Sequence, residues 1–404
     1  MPDATMVGAR RVPGARFATA LGAVTLIGPL AVHFFLPIVP AIQNQFGISD
    51  ALAEFTFTVT LATMAAATLV YGTLSDRFGR RPMLLSGLGL FLAGSALSAV
   101  AGSVALLLAG RLVQAVGAGC SITLTRAMAR DAYGPDTLVK AIAYLTMAYT
   151  AGPMLAPPLG GLLVDHLGWR SVFWAALLMG AVIMVVAYRV LYETQEHIGA
   201  RRGGGVLRDY VTLFANLRFS AFVLQSGFCS GTFFAIVAAS PFLMEDTLGR
   251  SATEYGLYFF LFPAGYFIGN FVSGRISGRV SIETMVFTGA AVNLLALATQ
   301  AGLILGVGLS PAAIFLPTFF TTFAQGLALP NGQAGAIQIM PELAGTAAGA
   351  GVFSQLFLSA LFAQLYGWAA DGTPIPMIEI AAVAAILSLV TGTIPLVQKL
   401  RGRA

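Results

Sequence analysis

The sequence predicts an all-α membrane protein with twelve transmembrane helices in two pseudo-symmetric six-helix bundles. Three observations predict it. Hydrophobic residues make up 57% of the 404-residue chain and charged residues only 10%, whereas a soluble domain carries roughly 25% charge. Apolar runs of the length a bilayer requires, about 20 residues, recur twelve times. The Lys and Arg residues fall between these runs on alternate sides.

The runs lie at about 17–39, 51–73, 83–101, 104–126, 138–161 and 170–191, then at about 216–241, 254–274, 284–306, 312–334, 345–368 and 376–397. The first follows a polar, basic stretch ending at Arg16 and lacks a small-x-small cleavage site, so it reads as a retained span rather than a signal peptide. With the N-terminus inside, one side holds Arg10, Arg11, Arg16, Arg77, Arg80, Arg81, Arg126, Arg130, Lys140, Arg189, Arg201, Arg202, Arg208, Arg218, Arg275, Arg279, Lys399, Arg401 and Arg403, nineteen of the 22 cations. Arg170 and Arg250 fall outside and Arg111 within a span. This bias follows the positive-inside rule and places both termini in the cytoplasm. The net charge of +5 is therefore mostly topology, and no nucleic-acid partner is expected.

Residues 192–215, "YETQEHIGARRGGGVLRDYVTLFA", are polar, glycine-rich and basic. They divide the chain into an N-terminal unit, 1–191, a cytoplasmic linker, and a C-terminal unit, 216–404; His197 in the linker reads as solvated. Cys120 and Cys229 sit far apart inside apolar runs, which suggests neither a disulfide framework nor a metal site. An internal echo links the halves. "GTLSDRFG" (Gly72 to Gly79) follows span 2 and "GRISGRVS" (Gly274 to Ser281) follows span 8. Gly72 aligns with Gly274, Ser75 with Ser277 and Arg77 with Arg279, while Asp76 meets Gly278. Repeated halves with a site between them are a transporter architecture.

"GTLSDRFGRRPMLL", Gly72 to Leu85, resembles the G-x-L-x-D-R-x-G-R-[RK] loop signature of the major facilitator superfamily. "RLVQAVGAG" (Arg111 to Gly119) and "GPMLAPPLGG" (Gly152 to Gly161) are similar to fourth- and fifth-span motifs of its drug:proton antiporter branch, with Ala115 and Ala156 replacing glycines. "FFLPIVP", "RDAY" and "AGTAAG" are similar to the Bcr/CflA group of multidrug exporters. The resemblance covers nearly the whole chain. It implies the major facilitator fold, no cofactor, protons and small molecules as partners, and a monomer in a bacterial inner membrane. One departure stands out: the group has an aspartate in the first span where this chain has His33.

The resemblance implies a gating loop of Gly72, Asp76, Arg77, Gly79, Arg80 and Arg81. Asp76 would dock on the N-terminus of span 11 near Gly345, Thr346 and Ala347, where a helix end favours an anion. It implies an antiporter motif of Gly152, Pro153, Pro157, Pro158, Gly160 and Gly161, whose bend and close approach seal the pathway. Arg111 is a charge about seven residues into span 4, ~10 Å deep at 1.5 Å per residue; such a charge faces a cavity or a partner. Gln114, Ala118, Ser121 and Thr125 continue from it as a polar or small stripe. His33 and Glu54 share its depth, so His33, Glu54, Arg111 and Gln114 are the proton-coupling candidates, with His33 able to titrate near neutrality. For His33 the bland alternative is a hydrogen-bonded packing residue, and for Glu54 an interfacial acid. Phe34, Tyr149, Gln225, Gln325, Asn331 and Gln355 are weaker candidates for a substrate cavity.

The function expected is export of small amphiphilic compounds by proton antiport with alternating access. An uptake symporter or facilitator of the same fold is the alternative, and a non-transporting assembly factor a remote one. No ligand cluster, nucleophile–base pair or phosphate-binding loop points to an enzyme.

Overall fold

The computed structural model describes residues 14–133, 135–195 and 206–402. The expected positions Arg10, Arg11, His197, Arg201, Arg202 and Arg403 lie outside the described residues. Among the described residues, eleven apolar helical segments are long enough to cross a bilayer: α1 Ala15–Phe46, α2 Asp50–Phe78, α3 Arg80–Ala99, α4 Val104–Ala132, α6 Arg170–Val190, α7 Leu217–Thr247, α8 Ala252–Ile276, α9 Ile282–Gly306, α10 Pro311–Ile339, α11 Pro341–Ala369 and α12 Ile375–Arg401. The expected fifth span is helix α5, Pro135–Leu167, whose three internal prolines and several glycines dilute its apolar character. A short helix, Val206–Ala215, precedes α7.

Several spans bend where proline removes a backbone donor. The first α-helical stretch of α1 ends at Thr25, four residues before Pro29. A second ends at His33, before a 3₁₀ turn at Leu36–Ile38 that contains Pro37. The end of α7 loosens into a π-helical turn, Leu243–Thr247, just after Pro241. The bilayer face is legible on α6, where Trp174, Leu178, Val182 and Val185 recur at helical spacing and are at least half exposed. Large apolar side chains in a continuous exposed stripe match lipid contact.

One expectation about local structure is corrected. The signature expected as a loop is helical from Gly72 to Phe78, the last turns of α2. Only Gly79 makes the turn, at φ 96 and ψ 153, a backbone region open to glycine. The second-half counterpart turns over Ser277–Val280, with Gly278 at φ 82.

Candidate functional site

The six helices before residue 196 and the six after residue 215 meet closely at the end of the molecule opposite the basic turns. Here α5 carries the contact. A Cβ added to Gly161 would lie 2.2 Å from the Ala252 carbonyl oxygen of α8, and one added to Gly256 of α8 would lie 2.5 Å from the Pro157 carbonyl. The backbones of α5 and α8 thus touch directly, which only small residues permit. Asp165 at the end of α5 accepts a hydrogen bond from Thr253 N at 2.8 Å. On its other side α5 packs against α1: a Cβ on Gly152 would lie 2.2 Å from Pro29 Cβ, and one on Gly160 would lie 2.9 Å from the Phe34 carbonyl oxygen. Phe34 is therefore a packing residue of the α1–α5 contact. Pro157 and Pro158 lie at the crossing with α8 and Pro153 one residue beyond Gly152.

A second contact joins α2 to α11 at the same end. Thr58 Oγ1 donates to Gln364 Oε1 at 2.6 Å, and Gln364 Nε2 donates to the Ala51 carbonyl at 3.1 Å. Gly367 of α11 sits on Glu54, whose Cβ would be 2.6 Å from a Cβ placed there. Glu54 is 1% exposed, and its Oε1 has no hydrogen-bond partner. The rings of Tyr255 and Tyr366 share its electrostatic neighbourhood. Among the described residues no cation forms an ion pair with it. Leaving a buried carboxylate charged without a partner costs several kcal/mol or more.

His33 and Arg111 lie at the same depth, and neither touches Glu54. His33 is buried, with Nδ1 3.3 Å from the Pro29 carbonyl and its ring beside Phe234 and Phe259 of the second half at 6.4 and 6.1 Å. Arg111 is 1% exposed. Its Nη1 donates to the Ala31 carbonyl at 3.0 Å and to Gln114 Oε1 at 2.6 Å, and its Nε donates to the Thr56 carbonyl at 3.3 Å. The guanidinium also covers the Phe35 ring at 3.8 Å. Gln114 passes the chain on to Ser95 Oγ at 2.8 Å. Instead of opening to a cavity, Arg111 is enclosed within the first six helices, tying α1 and α2 to α4. Ala31 and Thr56, its carbonyl partners, are two residues from His33 and Glu54. The three ionisable groups form a layer without forming pairs.

At the basic end the charges are paired within each half. Arg80 binds Asp76 at 2.7 Å, Asp131 at 3.0 Å and Ser75 Oγ at 2.5 Å. Glu193 accepts from Arg80 N and Arg81 N, both at 3.0 Å, closing the start of α3. Arg81 reaches the Leu191 and Tyr188 carbonyls at 2.8 and 2.9 Å. The Asp76 carboxylate remains 56% exposed and makes no contact with the start of α11. Arg77 stacks on Phe78 and Gly72 has open space around it. The molecule is closed at the Glu54 end, and its motif acid at the other end is free of the second half.

The weaker cavity candidates divide. Gln225 donates to Ser388 Oγ at 3.2 Å, Gln325 to the Cys229 carbonyl at 3.0 Å, and Asn331 to Ser273 Oγ at 2.8 Å. All three tie helices of the second half together. Gln355 is half-buried with its Nε2 unpartnered, and Tyr149 shares its surroundings with Tyr266 and Arg126. The residues missed in the sequence are Glu193, Thr58 and Gln364, each acting through a partner more than one hundred positions away, so no local pattern marks it. Asp131 is marked there only as part of "RDAY", without its partner Arg80.

Comparison with known proteins places this geometry. The model of the Major Facilitator Superfamily matches residues 21–364. The multidrug resistance protein MdtL of Escherichia coli O81 (strain ED1a) is 31% identical over 240 residues, covering 59% of this chain and 61% of that protein, and MdtL of Escherichia coli K12 matches equally. The chain thus spans about 61% of the length of the curated relatives it matches. Among solved structures, a bacterial homologue of the human lysosomal transporter Spinster, inward-facing and unoccupied, aligns with TM-score 0.68 at 16% identity over 96% of both chains. The peptide transporter POT in complex with alafosfalin aligns with TM-score 0.74 at 16% identity, covering 95% of this chain and 93% of that one. The fold is theirs, and the chain belongs to the Major Facilitator Superfamily.

Proposed function

We propose that this multi-pass membrane protein exports small amphiphilic compounds by proton antiport, with the basic end facing the cytoplasm and both termini on that side. The name of the MdtL relatives supports a drug-efflux role, and the Lys and Arg bias supports the orientation. The two units, 1–191 and 216–404, rock about the linker 192–215 so that one end seals while the other opens. The arrangement described above is the inward-facing one. The protein acts as a monomer in a bacterial inner membrane.

The observation that carries coupling is the position of Glu54. It lies in the seal between the halves, enclosed by Gly367 of the opposite unit, with no cation paired to it among the described residues. Sealing the outer end over Glu54 favours its neutral form, because closure removes water and supplies no counter-charge. Opening that end exposes the carboxyl to the outside, where it exchanges its proton. Proton binding thereby favours the inward-facing state. His33 shares the layer and contributes through packing on the second half, while Arg111 holds the layer's backbone in place.

The test is transport in everted vesicles with an imposed pH gradient, comparing wild type with Glu54→Gln. Gradient-driven accumulation of a lipophilic dye should be lost in the variant, while substrate counterflow, which moves no net proton, continues. Gradient-driven transport at the wild-type rate in Glu54→Gln would remove Glu54 from coupling. Accumulation in the opposite direction would favour the uptake reading instead.

A further inference from the structure

The two signature turns solve the same electrostatic problem in different ways. In the first half the start of α3 and the cations around it are filled by the protein's own acids. Glu193 takes the Arg80 and Arg81 amides, and Asp76 and Asp131 take the Arg80 guanidinium. In the second half Gly278 stands where Asp76 would be, and Arg279 stands where Arg77 would be. The position equivalent to Arg81 is Glu283, so the link to the last helix of the half is inverted in sign. Arg81 reaches carbonyls at the end of α6, whereas Glu283 accepts from Lys399 Nζ at 2.8 Å near the end of α12. Glu283 also pairs with Arg218.

A groove of about 690 Å³ opens at this second turn, lined by Ser277, Arg279, Ser281, Asn331, Lys399 and Leu400 among others. Arg279 is exposed, and its guanidinium has no ion pair or hydrogen-bond partner among the described residues. The charged side chains lining the groove are two cations, Arg279 and Lys399; Glu283, outside the lining, pairs with Lys399 and Arg218 and leaves Arg279 uncompensated. Its hydroxyls donate as well as accept, and Ser281 opens helix α9, an end that favours anions. Leu400, 58% exposed, extends the groove onto an apolar flank.

We propose that this groove binds the phosphoryl headgroup of an anionic phospholipid, supplying the second half with the anion that the first half carries in its own chain. Arg279 and Lys399 meet the phosphate oxygens, the Ser277 and Ser281 hydroxyls donate to them, and an acyl chain lies along Leu400. The site is independent of the transport reading and persists whatever the cargo. Resting on the orientation proposed above, with the basic end in the cytoplasm, its place matches the leaflet face where cationic clusters collect anionic lipids.

The test is native mass spectrometry of the full-length protein in detergent, titrated with phosphatidylglycerol or phosphatidylethanolamine. Wild type should retain one phosphatidylglycerol in preference to phosphatidylethanolamine. Arg279→Gln should weaken that retention about fivefold, the worth of roughly one interfacial cation. Arg275→Gln, which removes an exposed cation outside the groove, should change it little. Arg279 is exposed and unpartnered, so its removal leaves the fold intact. Equal retention of the two lipids, or equal losses in the two variants, would overturn the site. A parallel arm measures thermal stabilisation by inorganic phosphate without lipid. Stabilisation matching that of phosphatidylglycerol, and lost in Arg279→Gln, would overturn the lipid as occupant and make free phosphate the ligand of the groove.

Discussion

The two ends of this molecule are held by different chemistry. At the Glu54 end the halves meet through backbone contact at Gly161 and Gly256, two amide hydrogen bonds of Gln364 and one unpaired carboxyl. At the basic end the ion pairs of Arg80, Arg218 and Lys399 among the described residues each stay inside one half. The difference explains how such a protein can change state. A seal made of close backbone contact and a few hydrogen bonds releases without separating an ion pair, while the charge clusters travel intact with their own half. Moving a charge pair apart at membrane depth costs far more than parting two glycine-lined helices.

The largest way to break this comparison is to spoil the backbone contact. Gly161→Val puts a branched side chain where even a Cβ meets the Ala252 carbonyl at 2.2 Å. Overpacking of this kind costs about 1–3 kcal/mol, enough to shift the balance of states by about fivefold to over a hundredfold away from closure. Transport should collapse at normal expression, and a cysteine probe at the Glu54 end should label faster. Unchanged labelling would show that the α5–α8 contact does not form the seal.

Arg111→Ala should act next most strongly, and on stability first. It leaves Gln114 Oε1 and two carbonyls without their donor and uncovers Phe35, a loss of about 2–4 kcal/mol. A clear drop in the detergent melting temperature is expected. Arg111→Lys should recover only part, because an ammonium does not reproduce the fork that reaches Ala31, Thr56 and Gln114 together. A stable alanine variant with defective transport would instead make Arg111 a transport residue.

Asp76→Asn sharpens the other end. Among the described residues its carboxylate forms an ion pair only with Arg80, and that carboxylate is more than half exposed, so folding should change by less than about 1 kcal/mol. If the acid docks on α11 when the basic end closes, transport should fall several-fold with stability unchanged. Equal transport at matched expression would confine Asp76 to its pair with Arg80.

The smallest effect is expected at His33. Its ring packs on Phe234 and Phe259 and hydrogen-bonds Pro29, without touching Glu54. His33→Asn should leave the pH profile of transport close to wild type and lower the rate about twofold, consistent with one lost packing contact. A flattened profile matching that of Glu54→Gln would instead show that His33 and Glu54 handle the coupling proton together.

The sequence alone determined the class of the molecule. Apolar runs set the helices, because a bilayer satisfies no backbone group that the helix leaves open. The glycines and prolines of 152–161 marked a close crossing, since only those residues combine a bend with near approach. Arg111, lodged in an apolar run, marked a buried charge because its cost is written in its surroundings. What it faces was decided only by tertiary structure: the carbonyls of Ala31 and Thr56 are eighty and fifty-five positions away. The same holds for the Glu193 carboxylate that closes α3 from beyond α6, and for Gly367, which encloses Glu54. Helix formation is local and periodic, so it is legible in a single chain. Partner choice across helices depends on which faces meet, and that is fixed only when the halves pack.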